Sequence, residues 1–423
     1  MTVVNFAYDG DIIQHPEERN CHNIYDKKYY PINGIWEDCY YDYHAPIQIV
    51  LERNGVNTKS ITMHEALSCQ EPFVYVLTFR YIRFIIDNSH DERFKLKIPK
   101  NYNFFEHLPI GLIHAVNSGR CLLLLNGAVE SNTYDEYFFQ KLKEKLSKVF
   151  TDFSNIVIIS GNVDNKKIDT DIKVIFWQYF ETAMRLCLEH SNQHQTQHQY
   201  SDSVKKFLCL NARPREFRYF FMFQMYNKGI LSEFNASLKG LESLNELKVI
   251  NSGHDFLSQI EDVPEFQTML KTLPWTIDTD DFGSNHWNNV DYPFKMNNLI
   301  FITTETLFGD GTTTLFITEK TFKPIMLKMP FIVLGDSLIL RHLRMLGYKT
   351  FCSMWDESYD EEHNVNARMN KIVKLVNYIS YKYTILELQN LIDENKDILD
   401  HNYNLLLTRR PELELINTIK NRS

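Results

Sequence analysis

The sequence predicts an α/β protein with two doubly wound parallel-sheet domains and a helical C-terminal tail. Three observations support this fold class. Short continuous apolar runs, typical of strands buried on both faces, alternate with longer runs of helical period. A polar stretch at 189–203 separates two such series near the middle of the chain. From residue 366 onwards, the helical period dominates.

Composition limits the classes of protein to which this chain can belong. Its 423 residues suit two or three domains, and we place them at 1–200 and 201–423. The hydrophobic share of 44% and charged share of 23% are ordinary for globular proteins and exclude a disordered chain. The net charge of −9 disfavours a nucleic-acid binder that uses its whole surface, although it leaves a local basic groove open.

Cysteine usage and apolar runs indicate the compartment. The seven cysteines are scattered and form no CxxC pair, which favours reduced thiols. The first residues lack the pattern of a signal peptide. Apolar runs such as Cys121–Leu125 are too short to span a bilayer. We therefore expect a soluble, cytoplasmic protein with no membrane partner, in the host cytoplasm if the protein is viral.

The clearest βαβ unit lies in the first half of the chain. Apolar runs at Cys121–Leu125 and Ile156–Ile159 flank a helical period at Tyr134–Phe150, which predicts two parallel strands and their crossover helix. Asn132 or Thr133 is expected to cap that helix. The other elements predicted here are strands at Val3–Tyr8, Ile47–Glu52, Phe73–Phe79 and Ile172–Phe176, and helices at Ile110–Ser118 and Tyr179–Leu188.

The second half repeats the alternation before the helical tail at Asn366–Thr418. Gly229 and Gly347 each follow a helical run, where a glycine suits the left-handed residue after a helix. The elements predicted here are strands at Phe207–Leu210, Leu299–Thr303 and Pro330–Gly335, and helices at Arg215–Gly229, Glu319–Lys328 and Leu338–Leu346.

Two polar clusters are predicted at the carboxyl ends of strands in the second half. Glu305 follows one strand, and Thr318, Glu319 and Lys320 open the next helix, with Lys323 one turn further. A capping threonine, free N–H groups and lysines attract anions, and a carboxylate accepts hydrogen bonds from a ribose diol. The alternative is a capped helix with surface charges.

The second cluster is an arginine-rich turn. Arg213, Arg215 and Arg218 follow the strand Phe207–Leu210 and lead into a helix. Arginine suits bidentate phosphate recognition. The alternative is a solvated basic turn. Because ligands bind beyond the carboxyl ends of strands in open α/β sheets, we expect both clusters to face one cleft.

These motifs resemble those of a known enzyme family. The stretch LFITEKTFKPIMLKMPFIVLG, preceded by Glu305, resembles the donor-binding motif of α1,3-fucosyltransferases. The turn NARPREFR resembles their phosphate-binding strand-turn-helix. Residues 207–360, with LRMLGYKTF and WDESYD, also resemble uncharacterised glycosyltransferase-like proteins of phages and large viruses. The resemblance covers about the C-terminal half of the chain.

The resemblance implies a GT-B fold, with two Rossmann-like domains facing a cleft and a nucleotide-sugar donor in the C-terminal domain. Glu319 would bind the ribose, Lys320 and Arg218 would hold the diphosphate, and Glu305 would approach the donor sugar. Glu305 is followed by Thr306, where the family has asparagine, so GDP-fucose is not implied. No cofactor and no metal are expected beyond the nucleotide-sugar co-substrate.

An inverting transfer also needs a general base near the acceptor hydroxyl. Asp9, Asp11 and Glu130 are candidates because each follows a predicted strand, although each also suits a helix or turn cap. The acidic pair Asp356 and Glu357 either lines the cleft or caps the tail helix. A retaining enzyme would need none of these.

Three functions remain open. The first is a glycosyltransferase acting on a glycan or small acceptor. The second is a phage or viral enzyme that glycosylates a hydroxylated base in duplex DNA, such as hydroxymethylcytosine. The third is a non-catalytic glycosyltransferase-like binding protein. Basic stretches at 95–100, 141–148 and 166–167 favour the second, and the net charge opposes it.

Two further features have a plainer interpretation beside the functional one. The histidines His190, His194 and His198 have a spacing that suits a metal site on a helix, but the segment is also typical of a solvated connector. The acidic run at Asp278–Asp281 lies in an irregular stretch and suits a solvated turn. Two tryptophans are candidates for contact with the acceptor, namely Trp36 and Trp287.

Overall fold

The computed structural model describes residues 3–8, 44–78, 103–128, 135–163, 171–190, 204–248, 255–277, 297–310 and 315–422. Within these residues the chain is an α/β protein with parallel sheets of six and four strands and a helical C-terminal region. This arrangement is compatible with two Rossmann-like domains. The chain divides into two compact units, which comprise 1–179 with 410–423, and 180–409.

The first unit is built on the six-stranded sheet. All its strand pairs are parallel, in the order β2-β1-β3-β4-β5-β6. The strands are β1 (Val3–Tyr8), β2 (Asn57–Thr62), β3 (Phe73–Thr78), β4 (Cys121–Gly127), β5 (Ile156–Ser160) and β6 (Lys173–Phe176). The helices before β6 are α1 (His44–Arg53), α2 (Met63–Ser68), α3 (Ile110–Asn117) and α4 (Glu136–Leu146).

In the first unit, the pattern of buried residues distinguishes the confirmed strand predictions from a wrong one. Every residue of β4 and β5 is buried, as continuous apolar runs require, and both strands are confirmed. The prediction of a strand at Ile47–Glu52 was wrong, because this segment lies in helix α1. Its buried residues Ile47, Val50 and Leu51 follow a spacing of three and four, which is helical.

Helix α4 begins later than expected. The predicted caps Asn132 and Thr133 were wrong, since Asp135 is the N-cap. Its carboxylate accepts a hydrogen bond from the main-chain N–H of Phe138 at 2.8 Å. This is the usual contact between an N-cap side chain and the third helical residue.

The second unit is built on the four-stranded sheet. Its strands are parallel, in the order β10-β9-β7-β8. The strands are β7 (Lys205–Asn211), β8 (Phe234–Leu238), β9 (Asn298–Thr304) and β10 (Phe331–Leu334). The helices are α5 (Tyr179–His190), α6 (Glu216–Asn227), α7 (Asn245–Lys248), α8 (Pro264–Leu270), α9 (Glu319–Met326), α10 (Ile339–Met345), α11 (Val365–Lys382), α12 (Ile385–Glu394) and α13 (Lys396–Thr408).

The strand order places a topological switch point between β7 and β9. From β7 the chain moves to β8 on one side, and it then returns to β9 and β10 on the other. In open α/β sheets, ligands bind beyond the carboxyl ends of the strands at such a point. The strands predicted as Phe207–Leu210, Leu299–Thr303 and Pro330–Gly335 are confirmed as β7, β9 and β10. Strand β8, at the sheet edge, was not predicted.

The last helix, α14 (Leu413–Lys420), belongs to the first unit. Its Leu415 and Ile419 are buried, and Lys173 Nζ donates to Thr418 Oγ1 at 2.7 Å. The sequence-based division was at residue 200, with the whole C-terminus in the second domain. In the structure, the first compact unit ends at Tyr179 and includes the chain again from Arg410.

Two further features of the described part of the chain are its helices and its cysteines. No helix there is both long and apolar enough to cross a membrane. The cysteines described there are free thiols, namely Cys69, Cys121, Cys187, Cys209 and Cys352.

Candidate functional site

The candidate site lies at the carboxyl ends of β7, β9 and β10, on the second unit alone. The last residues of β7 and β9 are joined side by side, since Thr304 Oγ1 donates to Asn211 Oδ1 at 2.8 Å. The segments that follow these strands contain both clusters predicted from the sequence. The structure therefore brings the arginine turn and the start of α9 to one edge of one sheet.

Arg218 connects the two sides of the switch point. It lies on α6, is 3% exposed, and its Nη2 donates to the main-chain oxygens of Thr304 (3.0 Å) and Glu305 (2.7 Å). Its Nη1 donates to the main-chain oxygen of Arg213 at 3.0 Å. Its Nε is buried and has no hydrogen-bond partner. Among the described residues, no acidic side chain forms an ion pair with this guanidinium.

The surroundings of Arg218 disfavour its positive charge. Burial lowers its pKa to about 10, and the charge of Arg215 acts in the same direction. The negative charges of Glu305 and Glu319 oppose this shift without cancelling it. A buried cation with an unused donor is normally compensated by a partner, and a bound anion would supply both a charge and an acceptor.

Glu305 has a structural part in the site that the sequence did not predict. The expectation was that it approaches the donor sugar. Its side chain is fully buried, and its two oxygens accept hydrogen bonds from Thr318 N, Thr318 Oγ1, Thr321 Oγ1 and Thr306 N, at 2.6–3.1 Å. These donors occupy the four acceptor sites of a carboxylate. Glu305 therefore anchors the start of α9 to the end of β9.

Thr318 is the N-cap of α9, as predicted. Its side chain accepts from Lys320 N, and its backbone is extended. Pro324, inside the helix, has no N–H for the carbonyl of Lys320 four residues earlier. Thr303 of β9 donates its hydroxyl to that carbonyl instead, at 3.4 Å. The first turn of α9 is thus held against β9 at two points.

Lys320 and Glu319 form a salt bridge at the start of α9. Lys320 Nζ lies 2.6 Å from Glu319 Oε1 and 3.2 Å from the hydroxyls of Thr306 and Thr318. Burial raises the pKa of Glu319, but the charge and hydrogen bond of Lys320, with the charge of Lys323, outweigh it and lower that pKa overall. The Lys320 side chain is 29% exposed, so it remains accessible to a ligand at the helix N-terminus.

Asp336 is a site residue that the sequence analysis did not single out. It follows β10 and Gly335, is buried, and accepts a hydrogen bond from the main-chain N–H of Gly309. Arg368 of α11 donates to the main-chain oxygens of Gly335 (3.1 Å) and Gly309. A polar residue directly after a continuous apolar run was the signal in the sequence.

The remaining arginines of the predicted cluster occupy the turn between β7 and α6. Arg213 is exposed, and Arg215 is the N-cap residue of α6. The side chains of the acidic pair Asp356 and Glu357 form hydrogen bonds with residues close to them in the chain. Asp356 accepts from Ser358, while Glu357 is buried and accepts from the Thr350 hydroxyl at 2.6 Å.

Several predicted residues lie outside the described residues. These are Asp9, Asp11, Glu130, Trp36, Trp287, Asp278–Asp281, His194 and His198. The basic stretches at 95–100 and 166–167 also lie outside them, whereas 141–148 falls on and just after α4, where Lys141 pairs with Glu144 on the surface. Within the described part of the chain, no three His, Cys, Asp or Glu side chains form a group that could hold a metal ion.

Comparison with protein-family models, curated proteins and solved structures found no match to this chain.

Proposed function

We propose that this protein is a glycosyltransferase of the GT-B class that binds a nucleotide-diphosphate sugar at the carboxyl edge of its second unit. The observation that carries the proposal is the convergence of Arg218, Lys320 and the N-terminus of α9 at the β7–β9 switch point. This set combines a buried guanidinium with a partly exposed ammonium at the N-terminus of a helix. Such a combination suits a phosphate group better than a neutral ligand.

The chemistry of glycosyl transfer explains why these groups belong together. As the bond between the anomeric carbon and the phosphate oxygen breaks, negative charge develops on the departing diphosphate. Cations already held in place stabilise that charge without reorganising during the reaction. Arg218 is held by three main-chain oxygens, and Lys320 by the hydroxyls of Thr306 and Thr318. Both are therefore preorganised.

The other residues of the site have distinct parts in the proposal. Lys320 holds the diphosphate together with Arg218, and Lys323 adds positive charge one turn further. Glu319, whose lowered pKa keeps it ionised, accepts hydrogen bonds from the ribose. Glu305 positions the helix start and does not touch the donor, because its oxygens are occupied by Thr306, Thr318 and Thr321. The acceptor is a hydroxyl of a glycan or small molecule.

An assay of nucleotide release tests this function. The full chain is incubated with UDP-, GDP- and ADP-sugars, with and without oligosaccharide acceptors, and free nucleoside diphosphate is measured. We expect release from one donor class, reduced at least tenfold in Lys320→Ala. The matched control is Lys371→Ala, because Lys371 lies on α11 and pairs with Glu362, which precedes that helix. Absence of release with every donor, or equal release by the two variants, would contradict the proposal.

A further inference from the structure

Asp336 lies at the same edge as the proposed diphosphate site. Leu334 of β10 pairs with Thr304 of β9, and Glu305 N donates to Leu334 O at 2.9 Å. At Gly335 the strands approach so closely that a Cβ there would lie 3.1 Å from Glu305 Cβ. Asp336 is therefore one residue beyond the contact with Glu305, which anchors the start of α9.

One oxygen of Asp336 is occupied and the other is not. Oδ1 accepts a hydrogen bond from the main-chain N–H of Gly309. A side chain at position 309 would crowd this contact, because its Cβ would lie 3.1 Å from Oδ1. Oδ2 is buried and has no hydrogen-bond partner. The residue as a whole is 3% exposed.

The charged groups around Asp336 do not provide that partner. Arg368 faces it from α11, but its nitrogens donate to the main-chain oxygens of Gly335, Glu362 and Gly309. Glu305 at the end of β9 and Asp310 in the adjoining turn are negative, and they repel a further negative charge. Within the described part of the chain, Oδ2 therefore has an acceptor site that no donor occupies, and a ligand could supply that donor.

A hydroxyl group of a sugar fits this position. An unsatisfied buried acceptor is rare in native proteins and costs stability, so a hydrogen bond from a ligand would stabilise this oxygen. The positive charge of Arg368 already faces Asp336, so a neutral donor suits the remaining oxygen better than a second cation. We propose that Asp336 is a specificity-determining residue, whose Oδ2 accepts a hydrogen bond from a sugar hydroxyl of the bound nucleotide sugar. This inference rests on the function proposed above.

The hydroxyl has two possible sources, which are the ribose and the transferred sugar. Nucleoside diphosphates carry the first only, whereas nucleotide sugars carry both. Calorimetric titration of the full chain with UDP, GDP and ADP, and then with UDP-glucose, GDP-mannose and ADP-glucose, separates them. The variant is Asp336→Asn, which keeps the acceptor for Gly309 N and replaces the other oxygen by a donor. The control is Asp393→Asn, at an exposed position on α12.

We expect Asp336→Asn to weaken binding of the nucleotide sugar by about tenfold or more, as for a lost hydrogen bond to a charged group, and the control to bind as wild type does. If Asp336→Asn loses affinity for both nucleoside diphosphates and nucleotide sugars, the hydroxyl belongs to the ribose. If it loses affinity for the nucleotide sugar alone, the hydroxyl belongs to the transferred sugar. Equal affinity of Asp336→Asn and wild type overturns this inference alone. If wild type binds none of the six ligands, the proposed function fails as well.

The pH dependence of binding adds a readout that a purely structural residue would not move. Burial and the negative charges of Glu305 and Asp310 raise the pKa of Asp336 to about 7. The hydrogen bond from Gly309 N and the charge of Arg368 act in the opposite direction but are outweighed. A nucleotide sugar has no phosphate proton that titrates near neutral pH. Its affinity for wild type should therefore rise as pH increases through 7, whereas its affinity for Asp336→Asn should not. Parallel pH profiles would overturn the inference.

Discussion

Arg218 Nη2 donates a hydrogen bond to the main-chain oxygen of Glu305 at 2.7 Å. The two residues lie on opposite sides of the β7–β9 switch point, one on the helix after β7 and the other at the end of β9. The carboxylate of the same glutamate holds Thr318 and thereby the start of α9. One short path thus joins the arginine turn to the helix N-terminus, so both halves of the proposed site form a single structural element.

Replacement of Arg218 tests this connection. Arg218→Lys keeps the charge but cannot donate to Arg213, Thr304 and Glu305 at once, because the ammonium lacks the planar fork of arginine. We expect a loss of about 2–4 kcal/mol in the free energy of unfolding. The measurement is urea denaturation beside Arg341→Lys, an exposed position on α10. Equal midpoints for the two variants would contradict the bridging role.

Glu305→Gln tests the anchoring of α9. The amide presents two hydrogens where the carboxylate accepts four hydrogen bonds, so donors of Thr306, Thr318 or Thr321 are left facing another donor. We expect a loss of about 2–4 kcal/mol in stability and weaker nucleotide binding. The control is Glu361→Gln at an exposed position. Full stability of Glu305→Gln would show that the carboxylate is not the anchor.

The return of the chain to the first unit is testable through α14. Ile419 is 0% exposed and Leu413, on the same helix, is 48% exposed. Ile419→Ala should lower the free energy of unfolding by about 2–5 kcal/mol, because it removes buried apolar volume. Leu413→Ala should change it by no more than about 0.5 kcal/mol. Thermal unfolding of both variants checks this, and similar melting temperatures would argue against the packing of α14 in a core.

The raised pKa of Asp336 predicts a pH dependence of stability. Its pKa is about 7 when folded and about 4 in an unfolded chain. Between these two pH values, the folded state therefore retains a proton that the unfolded chain has lost. The stability that this proton contributes is fully present below about pH 4 and is lost as the pH rises to 7. Asp336→Asn does not titrate, so its stability relative to wild type should rise between about pH 5 and pH 8, by at least about 1 kcal/mol.

Urea denaturation of both proteins across that range measures the effect. Burial also raises the pKa of Glu357 and Asp360, but these groups are common to both proteins and cancel in the difference. A difference in stability that is constant with pH would mean that Asp336 has the same pKa in the folded and unfolded states.

Most of the fold was predictable because burial of a strand on both faces leaves a distinct pattern. Strands such as β4 and β5 are continuous apolar runs, and they were recognised within one or two residues. Strand β2 lies at a sheet edge and has the polar sequence NTKSIT, so no such pattern marks it. The helical period of α14 predicts a buried face but does not indicate which unit buries it.

The candidate site was predictable in part for a related reason. Arg218, Thr318 and Lys320 follow strands or begin helices, and the carboxyl ends of parallel strands share one edge, so sequence position alone brings them together. The structural role of Glu305 depends on how many hydrogen-bond donors surround its carboxylate, and the spacing of residues in the sequence does not show this. Asp336 was missed because its unused oxygen is a property of the folded neighbourhood.

We propose above that the second unit binds a nucleoside diphosphate at Lys320. The most direct test is a thermal-shift screen of UDP, GDP, ADP, CMP and their sugars against wild type, Lys320→Ala and Lys371→Ala. A ligand that binds only the folded state raises the melting temperature by mass action. We predict that one nucleotide class stabilises wild type and Lys371→Ala but not Lys320→Ala. If no nucleotide stabilises any of the three proteins, or if one stabilises all three equally, the claim is contradicted.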